Sequence, residues 1–191
     1  AIRKLIVEGK LYSHVGSGTY VSPPKFKRNL QDLETHSEAA RREGRNLETQ
    51  VLYGEIIECT KQLSRKMKLR LGHKIFALQR LRVLDGVPAV LELTYLDAER
   101  CAGIEKKDYG ESSLYDTLRQ DYGLTLTCGR ESVGLTYTTE QEGELLGIPE
   151  DTAVFFISGV MLTEDGSCVE SFKSLNRAVL FSFRSELVSG D

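Results

Sequence analysis

The sequence predicts an α+β domain: one mostly antiparallel sheet with helices packed against it. Three observations predict it. Residues 75–96, IFALQRLRVLDGVPAVLELTYL, read as two apolar strands joined at Asp85-Gly86. Residues 152–174 repeat the plan around Asp165-Gly166, and each return strand carries a glutamate, Glu92 in one and Glu170 in the other. Between such segments lie stretches opened by Ser or Thr and closed by Gly, the start and stop signals of helices.

The bulk properties agree. A chain of 191 residues has room for one medium domain, or one domain plus a fragment. Hydrophobic residues at 40% and charged residues at 28% are ordinary for a globular protein, and a net charge of -3 does not advertise nucleic acid. No apolar run reaches the roughly 18 residues of a membrane span. The start AIRKLIVEGK has charge inside its apolar stretch and no cleavage-like site, so no signal peptide is expected. Cys59, Cys101, Cys128 and Cys168 are scattered without a C-x-x-C pair, and His14, His36 and His73 show no ligand spacing. Neither a metal, a cofactor nor a disulfide framework is expected, and free thiols fit a reducing cytoplasm.

Taken in order, residues 1–7 read as a short helix. Residues 11–15 and 19–21 read as strands around a Gly16-Ser17-Gly18 turn, and Pro23-Pro24 ends the unit before the basic segment 25–28. A helix follows over 37–43, capped by Ser37 and closed by Gly44. Then come a strand over 51–59, a helix over 60–67 capped by Thr60, and the first Asp-Gly hairpin. Residues 97–110 read as a loop with a helical turn. Ser112-Ser113 opens a helix ending near Gly123, and 124–137 reads as a strand. Thr138-x-x-Gln141 starts a helix ended by Gly147 and Pro149, and Phe181-Ser182-Phe183 is a short apolar segment beyond the second hairpin.

The first hairpin carries the chemistry. Phe76, Leu78, Arg80, Arg82 and Leu84 share one strand face, so two arginines lie among large apolar side chains. A buried guanidinium needs an anionic partner. Glu92 is one candidate and a ligand's phosphate or carboxylate the other; a solvated face with arginines lying over apolar neighbours is the bland alternative. Turn length decides whether Glu92 can serve. A two-residue loop pairs Leu84 with Val87 and sends Glu92 to the far face. A three-residue loop pairs Leu84 with Pro88, sets Glu92 opposite Arg80, and is favoured for that reason.

Two sets of motifs resemble a known family. Residues 1–9, then Leu11 and Gly16-x-Gly18-Thr19-Tyr20-Val21, look like the end of the recognition helix and the wing of GntR-type transcription regulators. Arg80-Leu81-Arg82, Asp85-Gly86-x-Pro88, Glu92-x-x-Tyr95-Leu96, Ser113-Leu114-Tyr115, Leu146-Gly147-Ile148-Pro149, Asp165-Gly166 with Glu170, Arg177, and Phe181-x-Phe183 resemble the UTRA effector domain of their HutC subfamily. The resemblance implies a chorismate-lyase-like fold with a central antiparallel sheet. It divides the chain into a winged-helix remnant (1–22), a linker (23–29) and an effector domain (30–188).

It also implies a cytoplasmic homodimer, not an enzyme, that binds operator DNA through the full-length protein and responds to a small anionic effector, a sugar phosphate or amino-sugar phosphate. Arg80 and Arg82 then grip the anion, Glu92, Ser113, Tyr115 and Glu170 line the pocket, and the backbone at His36-Ser37 contacts phosphate. His14, Gly16, Ser17 and Gly18 form the wing. The family's Phe-Thr appears here as His36-Ser37, and its tyrosine after Glu170 as Leu175-Asn176. A carboxylate effector, a chorismate-lyase-like enzyme and a plain dimerisation module are the rival readings.

Overall fold

The structure, a computed structural model, describes residues 1–7, 11–14, 18–21 and 25–186. In chain order it contains α1 (Ile2–Val7), β1 (Leu11–His14), β2 (Gly18–Val21), β3 (Phe26–Asn29), α2 (His36–Arg42), β4 (Leu47–Glu58), α3 (Lys61–Met67), β5 (Lys74–Leu84) and β6 (Val87–Asp97). After a 3-10 turn at Ile104–Lys106 come α4 (Leu114–Tyr122), β7 (Cys128–Tyr137), α5 (Glu140–Leu146), β8 (Ala153–Leu162), β9 (Cys168–Arg177) and β10 (Phe181–Arg184).

Six strands form one antiparallel sheet in the order β4-β5-β6-β9-β8-β7. Each half is a strand, a helix and a hairpin, β4-α3-β5-β6 and β7-α5-β8-β9, and the halves meet where β6 pairs β9. There Glu92 lies opposite Ser174, and Glu170 opposite Leu96. Exchanging the two strands turns one pair into the other, so the two glutamates occupy equivalent places about a local two-fold axis. The repeat seen in the Asp-Gly hairpins is thus a repeat in space.

Strand alternation sorts the core onto the two faces of the sheet. On one face, Phe76, Leu78 and Leu96 pack with Leu114 and Leu118 of α4 and with Ile104 and Tyr109 from the preceding loop. Further along the same face, Leu84 and Val90 pack with Ala39 and Ala40 of α2, Phe26 of β3 and Phe181 of β10. Arg80 and Arg82 fall between these two clusters, where no apolar layer covers the sheet. The opposite face packs Leu81, Val83, Leu91 and Leu175 against Leu146 of α5, and Ile75 against Leu63 and Met67 of α3. Each large side chain so buried contributes roughly 1.5–3 kcal/mol.

The first hairpin departs from expectation in an instructive way. Its turn has two residues, with Asp85 at φ 50° and Gly86 at φ 80°, and Leu84 pairs Val87. The extra residue lies inside β6. Val83 pairs Pro88 and Arg82 pairs Val90, so Ala89 is a bulge. The bulge restores the register and sets Arg80 opposite Glu92, as expected, by a different route. Asp85 tolerates its left-handed backbone because its carboxylate is tied down, accepting from Asn46 N at 2.9 Å and Arg45 Nε at 2.7 Å.

Two helix starts are corrected. The cap of α2 is Thr35, not Ser37; Thr35 Oγ1 accepts from Glu38 N, and the Glu38 carboxylate takes the Thr35 N–H at 2.8 Å. This reciprocal box outcompetes a lone serine. Likewise α5 is capped by Thr139 with Glu142, not by Thr138, whose hydroxyl donates to Pro149 O. Ser113 and Thr60 cap α4 and α3 as expected. Strand β7 starts at Cys128 rather than 124; Leu124 is buried beneath α4, and its N–H bonds Leu118 O.

Within the segment 23–29, expected as a linker, the described residues include strand β3. Phe26–Asn29 pairs in parallel with Phe181–Arg184, and Phe26 is 1% exposed. At the N-terminus β1 and β2 pair as an antiparallel hairpin, Leu11 with Val21 and His14 with Gly18. Gly18 has φ +112°, which glycine allows, while Gly16 and Ser17 of the expected turn lie outside the described residues. Among the described residues no helix is long and apolar enough to cross a membrane.

Candidate functional site

The uncovered stretch of sheet is the floor of a cavity of about 410 Å³. Arg80 and Arg82 come from β5, Glu92 from β6 and Glu170 from β9; Ser113 and Tyr115 at the start of α4 close one side, and His36 and Ser37 at the start of α2 the other. All eight residues expected at the pocket therefore border one space. Of the expected wing residues, His14 and Gly18 lie on β1 and β2, and Gly16 and Ser17 fall outside the described residues.

The electrostatics are unbalanced. Arg80 Nη2 lies 3.1 Å and Arg82 Nε 3.3 Å from the same oxygen of Glu92. Arg82 also donates from Nη1 to Thr49 Oγ1 at 2.6 Å. Two guanidiniums, 3% and 10% exposed, thus share one carboxylate oxygen, and Arg80 Nε is buried without a hydrogen-bond partner. Burial pushes the Glu92 carboxyl upward, but Arg80 and Arg82 outweigh it and hold the group at about 2. Burial and then Arg80 lower the basicity of Arg82.

The other carboxylate behaves differently. Burial raises Glu170 to about 7, with repulsion from Glu92 adding to it and Arg80 opposing it. Tyr115 Oη donates to Glu170 Oε2 at 2.7 Å, and burial beside that carboxylate holds the phenol well above its ordinary value. Near neutrality Glu170 is part protonated, so it cancels only part of the charge of the two arginines. His36 is held neutral, at about 3, by burial and by the fields of Arg28 and Arg82, and its Nε2 is buried without a partner. Ser113 spends its hydroxyl on the helix, accepting from Asp116 N.

Several cavity residues escaped the sequence reading. Phe172 and Ser174 border it, and the alternation from Glu170 along β9 was the signal for them. Met161 of β8 and Glu131 of β7 arrive by strand pairing that no local pattern announces. Arg28, part of the basic segment 25–28, also borders the cavity and pairs with Glu131.

A cavity of this size, with two buried arginines on its floor and two helix starts in its walls, is the kind of site a ligand-binding domain carries. Residues 42–181 match the UTRA domain family. The chain is 25% identical over 183 residues to the HTH-type transcriptional repressor NagR of Bacillus subtilis, covering 96% of this chain and 75% of that protein. It is 26% identical over 183 residues to the HTH-type transcriptional repressor PhnF of Mycolicibacterium smegmatis, covering 96% and 74%. The crystal structure of PhnF from Mycobacterium smegmatis superposes with a TM-score of 0.85 at 25% identity, over 99% of this chain and 83% of that one. The effector domain of PhnF alone superposes at 0.80 and 24%, over 85% of this chain and 99% of that one. The chain belongs to the UTRA domain family of GntR-type transcriptional regulators.

Proposed function

We propose that this chain is the sensing part of a HutC-type, DNA-binding repressor whose cavity takes a small phosphorylated metabolite, a sugar phosphate or amino-sugar phosphate, and that the protein is a regulator and not an enzyme. The observation that carries this is the sharing of one Glu92 oxygen by two buried arginines. A buried charge left short of partners is costly, and a phosphate with several acceptor oxygens relieves it. Tyr115, Ser174 and a part-protonated Glu170, which also border the cavity, suit the hydroxyls of a polyol.

The division into a wing over 1–22, carrying His14, Gly16, Ser17 and Gly18, and an effector domain beyond it belongs to the same proposal. So does homodimerisation, with operator DNA bound by the full-length protein. The fit of the PhnF effector domain to 85% of the chain supports the division. A carboxylate effector would use the same arginines and is the second reading.

Arg80→Ala tests the site. Removing one buried partner of a charged contact costs about 2–5 kcal/mol, roughly 30-fold to several-thousand-fold in affinity. Glucosamine 6-phosphate binding, measured by thermal shift and titration, is expected to weaken by at least that lower bound in Arg80→Ala, and comparably in Arg82→Ala. Unchanged binding in both variants would remove the arginines from the site.

A further inference from the structure

Beyond Arg80 and Arg82 the cavity is bordered by two further arginines, Arg28 and Arg130, and Arg28 is the one paired with a carboxylate of the cavity wall. Arg28 is the third residue of β3, and the β3 backbone is fixed by its ladder to β10, where Arg28 pairs Phe183. Two residues earlier, Phe26 is buried and packs edge-on against Phe181, with ring centroids 5.4 Å apart. The backbone under Arg28 is therefore anchored, and its side chain reaches across to β7, where Nη2 meets Glu131 Oε2 at 2.7 Å. The two side chains are 16% and 21% exposed, and both residues border the cavity. The field of Arg28 reaches His36, which also feels Glu92 and Arg82 and whose Nε2 is buried without a hydrogen-bond partner.

A guanidinium carries five N–H donors in a rigid fork suited to two parallel bonds. The contact to Glu131 engages Nη2 through one carboxylate oxygen. That contact uses one of the five donors and one oxygen, so Glu131 is a partner that a better-matched anion can replace. An anion offering two oxygens from the cavity side outbids it. We propose that Arg28 is a third anion-binding cation of this cavity, held in reserve by Glu131 and released to the ligand when the cavity fills. The proposal rests on the reading that the cavity takes an anion.

The test uses the chain with inorganic phosphate and glucosamine 6-phosphate as probes, titrated by calorimetry and thermal shift. Glu131→Gln removes the internal competitor and keeps the shape, so phosphate is expected to bind roughly 5-fold tighter or more than to the wild type. Adding Arg28→Gln to that variant is expected to abolish the gain, while adding Arg28→Lys keeps most of it. Arg28→Gln alone is expected to weaken glucosamine 6-phosphate about 10-fold or more. The proposal is overturned if Glu131→Gln and its Arg28→Gln double variant bind phosphate alike. Equal affinity of Arg28→Gln and wild type for a sugar phosphate that binds also overturns it. If the wild type ignores every sugar phosphate, the effector reading fails by itself, and the phosphate comparison between single and double variants still decides the role of Arg28.

Discussion

Glu170 is where a single side chain makes the state of the site depend on pH. It is 2% exposed and its neighbours are Tyr115, which donates to it, Glu92, which repels it, and Arg80, which attracts it. Burial dominates and raises the group from an ordinary 4.5 to about 7. A raised value in the folded state means that its contribution to stability is fully present below about pH 4.5 and is lost as pH rises through about 7. The loss is on the order of 3 kcal/mol across that interval. Glu170→Gln cannot titrate, so the stability of wild type relative to this variant is expected to fall by that order between pH 4.5 and 7, read from denaturant melts at each pH. A constant difference would show that Glu170 titrates normally. His36 adds a slope of opposite sign: held at about 3, it stabilises the fold above its ordinary 6.5 and that contribution is lost as pH falls through about 3. Comparing variants at each pH cancels this slope.

Among the elements, the β7–β8–β9 side of the sheet leaves the least room. A Cβ on Gly159 would lie 2.4 Å from Arg130 O on β7 and 2.9 Å from the Phe172 ring on β9, and Phe172 borders the cavity. Gly159→Ala must push β7 away or drive the ring into the cavity. Overpacking of this kind costs about 1–3 kcal/mol, so a melting temperature lower by several degrees and a weaker response to effector are expected. An unchanged melt would mean that the strands are less tightly apposed than they stand here. The elements also show what could be read from the sequence. Both Asp-Gly hairpins, the caps at Thr60 and Ser113 and the 3-10 turn follow from local chemistry and were legible. The Ala89 bulge was not, because a bulge is chosen by the fit of two strands, and only the demand that Arg80 meet Glu92 hinted at it. Thr35 was passed over for Ser37 although Thr35-x-x-Glu38 was present in the sequence. Arg28 and Glu131 are brought together across 103 positions by two separate strand pairings, which no window of sequence contains.

At the scale of the whole molecule, the two outer strands of the six-stranded sheet carry exposed apolar side chains. Val51, Tyr53 and Ile56 lie on β4, and Val133, Leu135 and Tyr137 on β7. Open edges of this kind invite a partner strand unless they are covered. The proposed two-fold operator binding needs a two-fold protein. Sedimentation of the chain at tens of micromolar, an order-of-magnitude choice for modest interfaces, is therefore expected to show a dimer; a monomer there would contradict it. On the proposed reading, the two buried arginines that share Glu92 are kept for a phosphate. Calorimetric titration of the chain with glucosamine 6-phosphate and with glucosamine, side by side, tests it most directly. Saturable binding of the phosphorylated sugar is expected, with an affinity for the free sugar lower by roughly 100-fold or more, the size of a lost buried charge contact. Equal affinities, or no heat from any sugar phosphate at millimolar concentration while a small carboxylate binds, would contradict it.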